Sequence, residues 1–92
     1  MWRFIITIDM NNDVTIMYTD VVGYSKLTGD NQEVALEILS EHNKILFQNI
    51  KHYSGNIVKE TGDGICALFH EPSDAVKCSI DIQKDLSKRN QL

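Results

Sequence analysis

Residues 56–69 read NIVKETGDGICALF, and this pattern decides the fold. Two short runs rich in β-branched and apolar residues, NIVKE and ICALF, flank TGDG. That is the pattern of a β-hairpin, with Gly62 and Gly64 taking positive φ cheaply in the turn. The turn explains the glycines but not Asp63, a carboxylate held between them, nor Lys59 four residues before it. A turn aspartate commonly bonds its own backbone, so the hexapeptide KETGDG gains functional weight only if a second group joins it.

Working outward from the hairpin, VTIMYT (residues 14–19) reads as another strand. Its two faces, Val14/Ile16/Tyr18 and Thr15/Met17/Thr19, are both uncharged, which predicts a central strand covered on both sides. Ahead of it, MWRFIITID reads as a strand and MNND as a turn. The apolar run is broken by Arg3 and Thr7, is far too short to span a bilayer, and carries no small-residue cleavage site. After Asp20, the stretch DVVGYSKL reads as a loop opening into a short helical turn.

A long helix is expected from about Asp30 to Ser54, with Asp30 and Glu33 at capping-box spacing and Gly55 as the stop. Ala35, Ile38, Leu39, Ile45, Leu46, Ile50 and Tyr53 recur at three-to-four spacing as its buried stripe. His42 interrupts that stripe and is assigned to its border. Pro72 suits the first turn of a last helix, with Ala75, Cys78, Ile82 and Leu86 facing inward and SKRN fraying the end. The order β–β–α–β–β–α predicts an α+β fold with a ferredoxin-like βαββα core beginning at Val14. Such a core normally closes with one more strand, and the sequence is expected to be truncated before it. WRFIITI, folding back through MNND, is expected to fill that slot in the same antiparallel sense, since an open edge invites aggregation. The organisation is thus an N-terminal strand and turn over residues 1–13 and a partial domain over residues 14–92.

Ninety-two residues, 42% apolar and 24% charged, make one small domain. A net charge of −4 argues against a nucleic-acid surface, which needs a basic stripe, and the strands lack the clear aromatic platform of an RNA-binding module. Cys66 and Cys78 both lie in apolar settings without Cys-x-x-Cys spacing, so they are expected to be buried free thiols in a reducing compartment.

Asp20 answers the question raised by Asp63. In a βαββ core the second hairpin strand pairs antiparallel with the first strand, so the end of that strand lies beside the hairpin tip. Two carboxylates can then converge at one end of the sheet, and two hard oxygen ligands suit Mg²⁺ or Mn²⁺. Beside Asp20, Gly23 gives a phosphate access to the backbone, and the N–H groups of Gly23, Tyr24 and Ser25 face an anion at a helix start. Together these parts describe a metal–triphosphate site.

VTIMYTDVVGYSKL resembles the first metal-binding segment of the class III adenylate/guanylate cyclase catalytic domains. GNIVKETGDGICALF resembles their second, and EPSDAVKCSIDIQKDL the helix that follows. The likeness runs over residues 14–92 and answers to about the first half of a full catalytic domain. It implies that Asp20 and Asp63, with the backbone carbonyl of Val21, hold two divalent metal ions, and that Gly23, Tyr24 and Ser25 receive the phosphates. It also implies that Lys59 reads the base: an ammonium donates to adenine N1, whereas guanine N1–H needs an acceptor. Glu60, one residue on, points to the other face.

The implied reaction is metal-dependent conversion of ATP to 3′,5′-cyclic AMP and pyrophosphate by the full-length domain in intracellular signalling. The implied partner is a second cyclase domain, commonly in a homodimer, with Lys59 serving the site whose metals the partner holds. The family's transition-state residues lie in its second half, so this chain alone is expected to be inactive. The expected location is the cytoplasm, or the cytoplasmic part of a larger signalling protein, with no membrane contact by this segment. The alternative is a non-catalytic nucleotide-binding or dimerisation module that regulates a cyclase. A diguanylate cyclase shares the metal chemistry, but TGDG replaces the turn expected of that family.

Overall fold

The computed structural model describes residues 3–10, 14–22, 32–61 and 64–90. Its elements are β1 (Arg3–Met10), β2 (Thr15–Val22), α1 (Gln32–His52), β3 (Asn56–Glu60), β4 (Gly64–Phe69) and α2 (Pro72–Asn90). The strands form one antiparallel sheet in the order β1-β2-β4-β3. This is the expected α+β arrangement, with the ferredoxin-like strand order and an added N-terminal strand.

β1 fills the edge position beside β2. It pairs antiparallel over eight residues, from Arg3 opposite Val22 to Met10 opposite Thr15. The hairpin expected from WRFIITI therefore forms, and it gives β2 a partner on each side. β2 is central, as expected, but its cover is one-sided. Thr15, Met17, Thr19 and Val21 are buried, whereas Tyr18 and Asp20 are exposed and Ile16 is half-buried. The strand also continues two residues beyond Asp20, because Val21 still has core to enter.

β4 alternates in the same way. Ile65, Ala67 and Phe69 join Met17 on the buried face, against Leu46 and Ile50 of α1 and Ala75, Cys78, Ile82 and Leu86 of α2. The inward face expected for the last helix is thus the one found. Both helices cover one side of the sheet, and polar ties hold them together. Asn49 Nδ2 donates to Asp85 Oδ2 (3.0 Å), and the Tyr53 hydroxyl donates to Asp81. α2 stays helical through Asn90, so the expected fraying at SKRN does not occur over those residues.

Three local expectations need correction. His42 is 2% exposed and sits within the buried stripe of α1, not at its border. Positions 42, 46, 49, 50 and 53 follow helical spacing, so geometry draws His42 and Asn49 inward despite their polarity. The helix stop is Ser54, which takes the left-handed conformation at φ 60°. Gly55 N–H then reaches Ile50 O (2.8 Å) and Ser54 N–H reaches Lys51 O (3.1 Å), the Schellman pattern. Gly55 is required for a different reason: a β-carbon there would lie 2.6 Å from the Phe69 ring and 2.8 Å from Ile50 Cγ2. Gly64 likewise does not occupy the left-handed region, and crowding again explains it, as described below. Asp30, Gly62 and the turn residues 11–13 lie outside the described residues, as does the side chain of Ala35.

Candidate active site

The open face of the sheet carries the candidate chemistry. Asp20 projects from it near the end of β2, exposed, and pairs directly with Gly64 at the start of β4. One residue before Asp20, the Thr19 hydroxyl accepts the Ile65 N–H at 2.9 Å and lies 3.4 Å from Ile65 O. That side chain ties β2 to β4 beside the Asp20–Gly64 pair. The hairpin itself closes on Thr61, whose N–H donates to Gly64 O at 2.8 Å, with the Thr61 hydroxyl 3.2 Å from the same oxygen. A β-carbon at Gly64 would stand 2.6 Å from the Thr19 carbonyl oxygen. Glycine is needed because β2 passes too close for any side chain.

Lys59 reaches the same face through an irregularity. The β3–β4 register shifts between Ile57 and Lys59, so Ile57 opposes Ala67 while Lys59 opposes Cys66, the preceding residue of β4. Directly paired residues share a face. Ile57 therefore falls on the helix side with Ala67, and Lys59 falls on the open side with Cys66. Without the shift, two residues an even number apart would point the same way. Cys66 in turn opposes Tyr18. Tyr18, Cys66 and Lys59 form a row across three strands, and Asp20 with Gly64 forms part of the next row. Tyr18, Asp20, Val58, Lys59, Gly64 and Cys66 help line a cleft of about 680 Å³.

Of the residues implied by the sequence, Asp20 and Lys59 come together in this cleft. Val21 follows Asp20 with its side chain buried on the helix face and its backbone paired with Phe4. Gly23, Tyr24, Ser25 and Asp63 lie outside the described residues, although Gly64, the sequence neighbour of Asp63, is the residue facing Asp20. Among the described residues no group of three or more His, Cys, Asp or Glu stands together as a metal site.

Tyr18 and Cys66 are cleft residues that sequence reasoning missed. Cys66 was expected to be buried and is instead half-exposed. The available signal was alternation: Tyr18 lies two positions from Asp20, on the same face of the same strand.

Strongly perturbed titrations occur in the helix layer, away from the cleft. Burial lowers His42 from 6.5 to about 4. Burial, with a lesser contribution from Asp81, pushes the Cys78 thiol up to about 12. The hydrogen bond to Asp81 raises the Tyr53 phenol above its ordinary value. These shifts mark packing, not a reaction centre.

Comparison with known proteins agrees on the fold. No protein-family model matches the chain. The serine/threonine-protein kinase pkn2 of Myxococcus xanthus is 30% identical over 80 residues, a match that takes in 86% of this chain and 10% of the kinase. The solved structure of a bacterial light-regulated adenylyl cyclase superposes on 94% of this chain and 43% of its own, with a TM-score of 0.75 and 21% identity. The chain therefore has a cyclase-like fold, and it spans less than half the length of each protein. Among the described residues, no helix is long and apolar enough to cross a membrane.

Proposed function

We propose that this chain forms the part of an adenylate cyclase-type domain that holds the divalent metals and the triphosphate of ATP. The observation that carries this reading is the β2–β4 register. It sets Asp20 opposite Gly64, next in sequence to Asp63, with Lys59 in the same cleft. An exposed carboxylate at the end of an open cleft is a hard oxygen donor of the kind Mg²⁺ and Mn²⁺ accept, and such ions complete their shells with water, backbone carbonyls and phosphate. Asp20 and Asp63, with the Val21 carbonyl, would hold two such ions. When bound, they would lower the pKa of the ribose 3′-hydroxyl and neutralise charge on the departing pyrophosphate.

The chain's own contribution is placement. The Thr19–Ile65 bond and the buried Val21 side chain fix the backbone on either side of Asp20. The N–H groups of Gly23, Tyr24 and Ser25 would receive phosphate oxygens at a helix start. Lys59, a donor without acceptor capacity, favours adenine over guanine. Within the full-length protein the product would be 3′,5′-cyclic AMP, in the cytoplasm or on its face of a larger signalling protein, with a second cyclase domain as partner.

Calorimetric titration with Mn²⁺ and ATP tests the reading. ATP binding should require the metal, vanish in Asp20→Asn, and shift toward GTP in Lys59→Glu. ATP bound equally well without divalent metal, or by Asp20→Asn, would refute it.

A further inference from the structure

The sheet ends in two edges of opposite character. β3 is short, its register with β4 shifts between Ile57 and Lys59, and it carries Lys59 and Glu60. Brevity, charge and bulges are the devices that keep an edge strand from pairing further. β1 has none of them. It pairs with β2 in unbroken register from Arg3 to Met10 and contains neither lysine nor proline. Its only charges, Arg3 and Asp9, stand near opposite ends of an apolar, β-branched run.

The helix side of this edge is unfinished core. Ile6 and Ile8 stand opposite buried Thr19 and Met17 yet are only partly buried themselves, and Met10, opposite buried Thr15, is 60% exposed. α2 turns a bare flank toward the same edge. Its Asp81 and Asp85 reach Tyr53 and Asn49 of α1, while Ala75, Cys78, Ile82 and Leu86 face the core. Helical spacing then sets Val76 and Ile80, both exposed, on the flank turned away from α1. Because α2 packs on β1 and β2 and α1 packs on β3, that flank borders the β1 edge.

We propose that β1 is a homotypic docking edge: two copies of this chain join β1 to β1, antiparallel, about a two-fold axis at Ile6, into one continuous sheet. The strand's own sequence selects both the second copy and the register. With Ile6 opposite itself, Arg3 of each copy falls opposite Asp9 of the other, and opposite charges at directly paired positions attract. Phe4, on the helix side by its pairing with buried Val21, falls opposite Ile8 and beside the Val76–Ile80 flank of the other copy. A one-residue slip would set helix-side residues against open-side ones and send the two helix layers to opposite faces. A two-residue slip parts both charge pairs. The joint is isologous, so it closes after two copies and leaves no further β1 edge open. None of the described β1 side chains lines the cleft, so this inference goes beyond the nucleotide reading and does not depend on it.

Sedimentation velocity on the 92-residue chain at rising concentration tests it. The wild-type chain should pass from monomer to dimer and no larger species. Arg3→Asp and Asp9→Arg each set like charges opposite one another twice, and each should weaken the dimer by about tenfold or more, with the folded circular-dichroism spectrum kept. An equimolar mixture of these two variants restores both charge pairs between unlike chains, and the double variant restores them between like ones. Both should dimerise as the wild type does. Amide hydrogen exchange should slow with concentration along β1 and not along β3, a measurement that needs no substitution and so decides the matter even if a variant unfolds. The proposal is overturned if the wild-type chain stays monomeric up to about 1 mM, the weakest association worth the name. It is equally overturned if the single reversals dimerise like wild type, if the mixture and the double variant stay monomeric, or if the dimer protects β3 or the open face instead of β1. Mn²⁺–ATP titration of the single variants should match wild type, so loss of the dimer and loss of nucleotide binding are separate results.

Discussion

Gly64→Ala probes the junction on which the site depends. A β-carbon at Gly64 would sit 2.6 Å from the Thr19 carbonyl oxygen, whereas ordinary contact begins at 3.4 Å. The obstructing atom is backbone in a central strand and cannot swing aside as a side-chain tip would. β2 and β4 must separate at the Asp20–Gly64 pair to admit it. Overpacking of this kind costs about 1–3 kcal/mol, against a gain of about 0.4–1 kcal/mol from restricting the unfolded chain. The clash wins. For a domain of this size each kcal/mol lost lowers Tm by about 4–8 °C, readable by circular dichroism.

The site should suffer more than stability alone requires, since the separation moves Asp20 relative to the hairpin. Gly55→Ala is the matched control. Its β-carbon would meet the Phe69 ring at 2.6 Å, in the core and away from the cleft. It should lower Tm while leaving Mn²⁺–ATP affinity intact in the folded protein. Gly64→Ala should lower both. A Gly64→Ala chain with wild-type Tm would refute the crowding argument. One with lowered Tm but wild-type affinity would refute the claim that this pair sets the site.

Burial holds the His42 pKa at about 4, below its unfolded value of 6.5, so the unfolded chain binds the extra proton first. Stability is therefore full above pH 6.5 and falls as pH drops toward 4, by at most about 1.4 kcal/mol per pH unit for one proton; urea midpoints should show this slope, and His42→Leu should remove it. Ellman's reagent should modify half-exposed Cys66 quickly and leave buried Cys78, with its thiol raised to about 12, unreacted in the native state; a fast phase surviving in Cys66→Ser would contradict that order. The Thr15 hydroxyl is fully buried with no hydrogen-bond partner among the described residues. Thr15→Val should stabilise the chain by about 1 kcal/mol by removing that unsatisfied group, seen as a raised urea midpoint.

Much of the fold was legible because its signals are local. Strand runs flanking TGDG announce the β3–β4 hairpin, and the inward positions of α2 repeat at clean helical spacing. The placement of β1 followed from an exposed edge and a turn-like MNND, which together left one antiparallel slot. What polarity misjudged, packing decided. Residues 14–19 offer two uncharged faces, and the one carrying Thr15 and Thr19 is the buried one, because Met17 and Val21 accompany them and Thr19 bonds across to Ile65. Side-chain character alone favours burying Tyr18, which is why its exposure was not foreseen. The Lys59 orientation depends on a register shift that no single-strand pattern contains. Of the candidate site, Asp20 and Lys59 could be named from motif spacing, whereas Tyr18 and Cys66 required knowing which face stayed open.

That choice of face has a chemical consequence at Asp20. A carboxylate at a ragged strand end would need to be ordered by whatever it binds, at an entropic cost of about 1–2 kcal/mol for each backbone position fixed. Here β2 continues past Asp20, Val21 is anchored in the core at 6% exposure, and Thr19 is bonded to β4. β1 pairs with the other side of the strand, Ile5 opposite Asp20 and Phe4 opposite Val21. The Asp20 backbone is thus held by both neighbours in sequence and both neighbours in the sheet before any ligand arrives. The fold orders this position in advance, which is what a binding carboxylate at an open cleft needs from its scaffold. On this argument β1 is part of the site's support although none of its described side chains lines the cleft. A ligand that finds Asp20 already fixed needs to order only the carboxylate side chain.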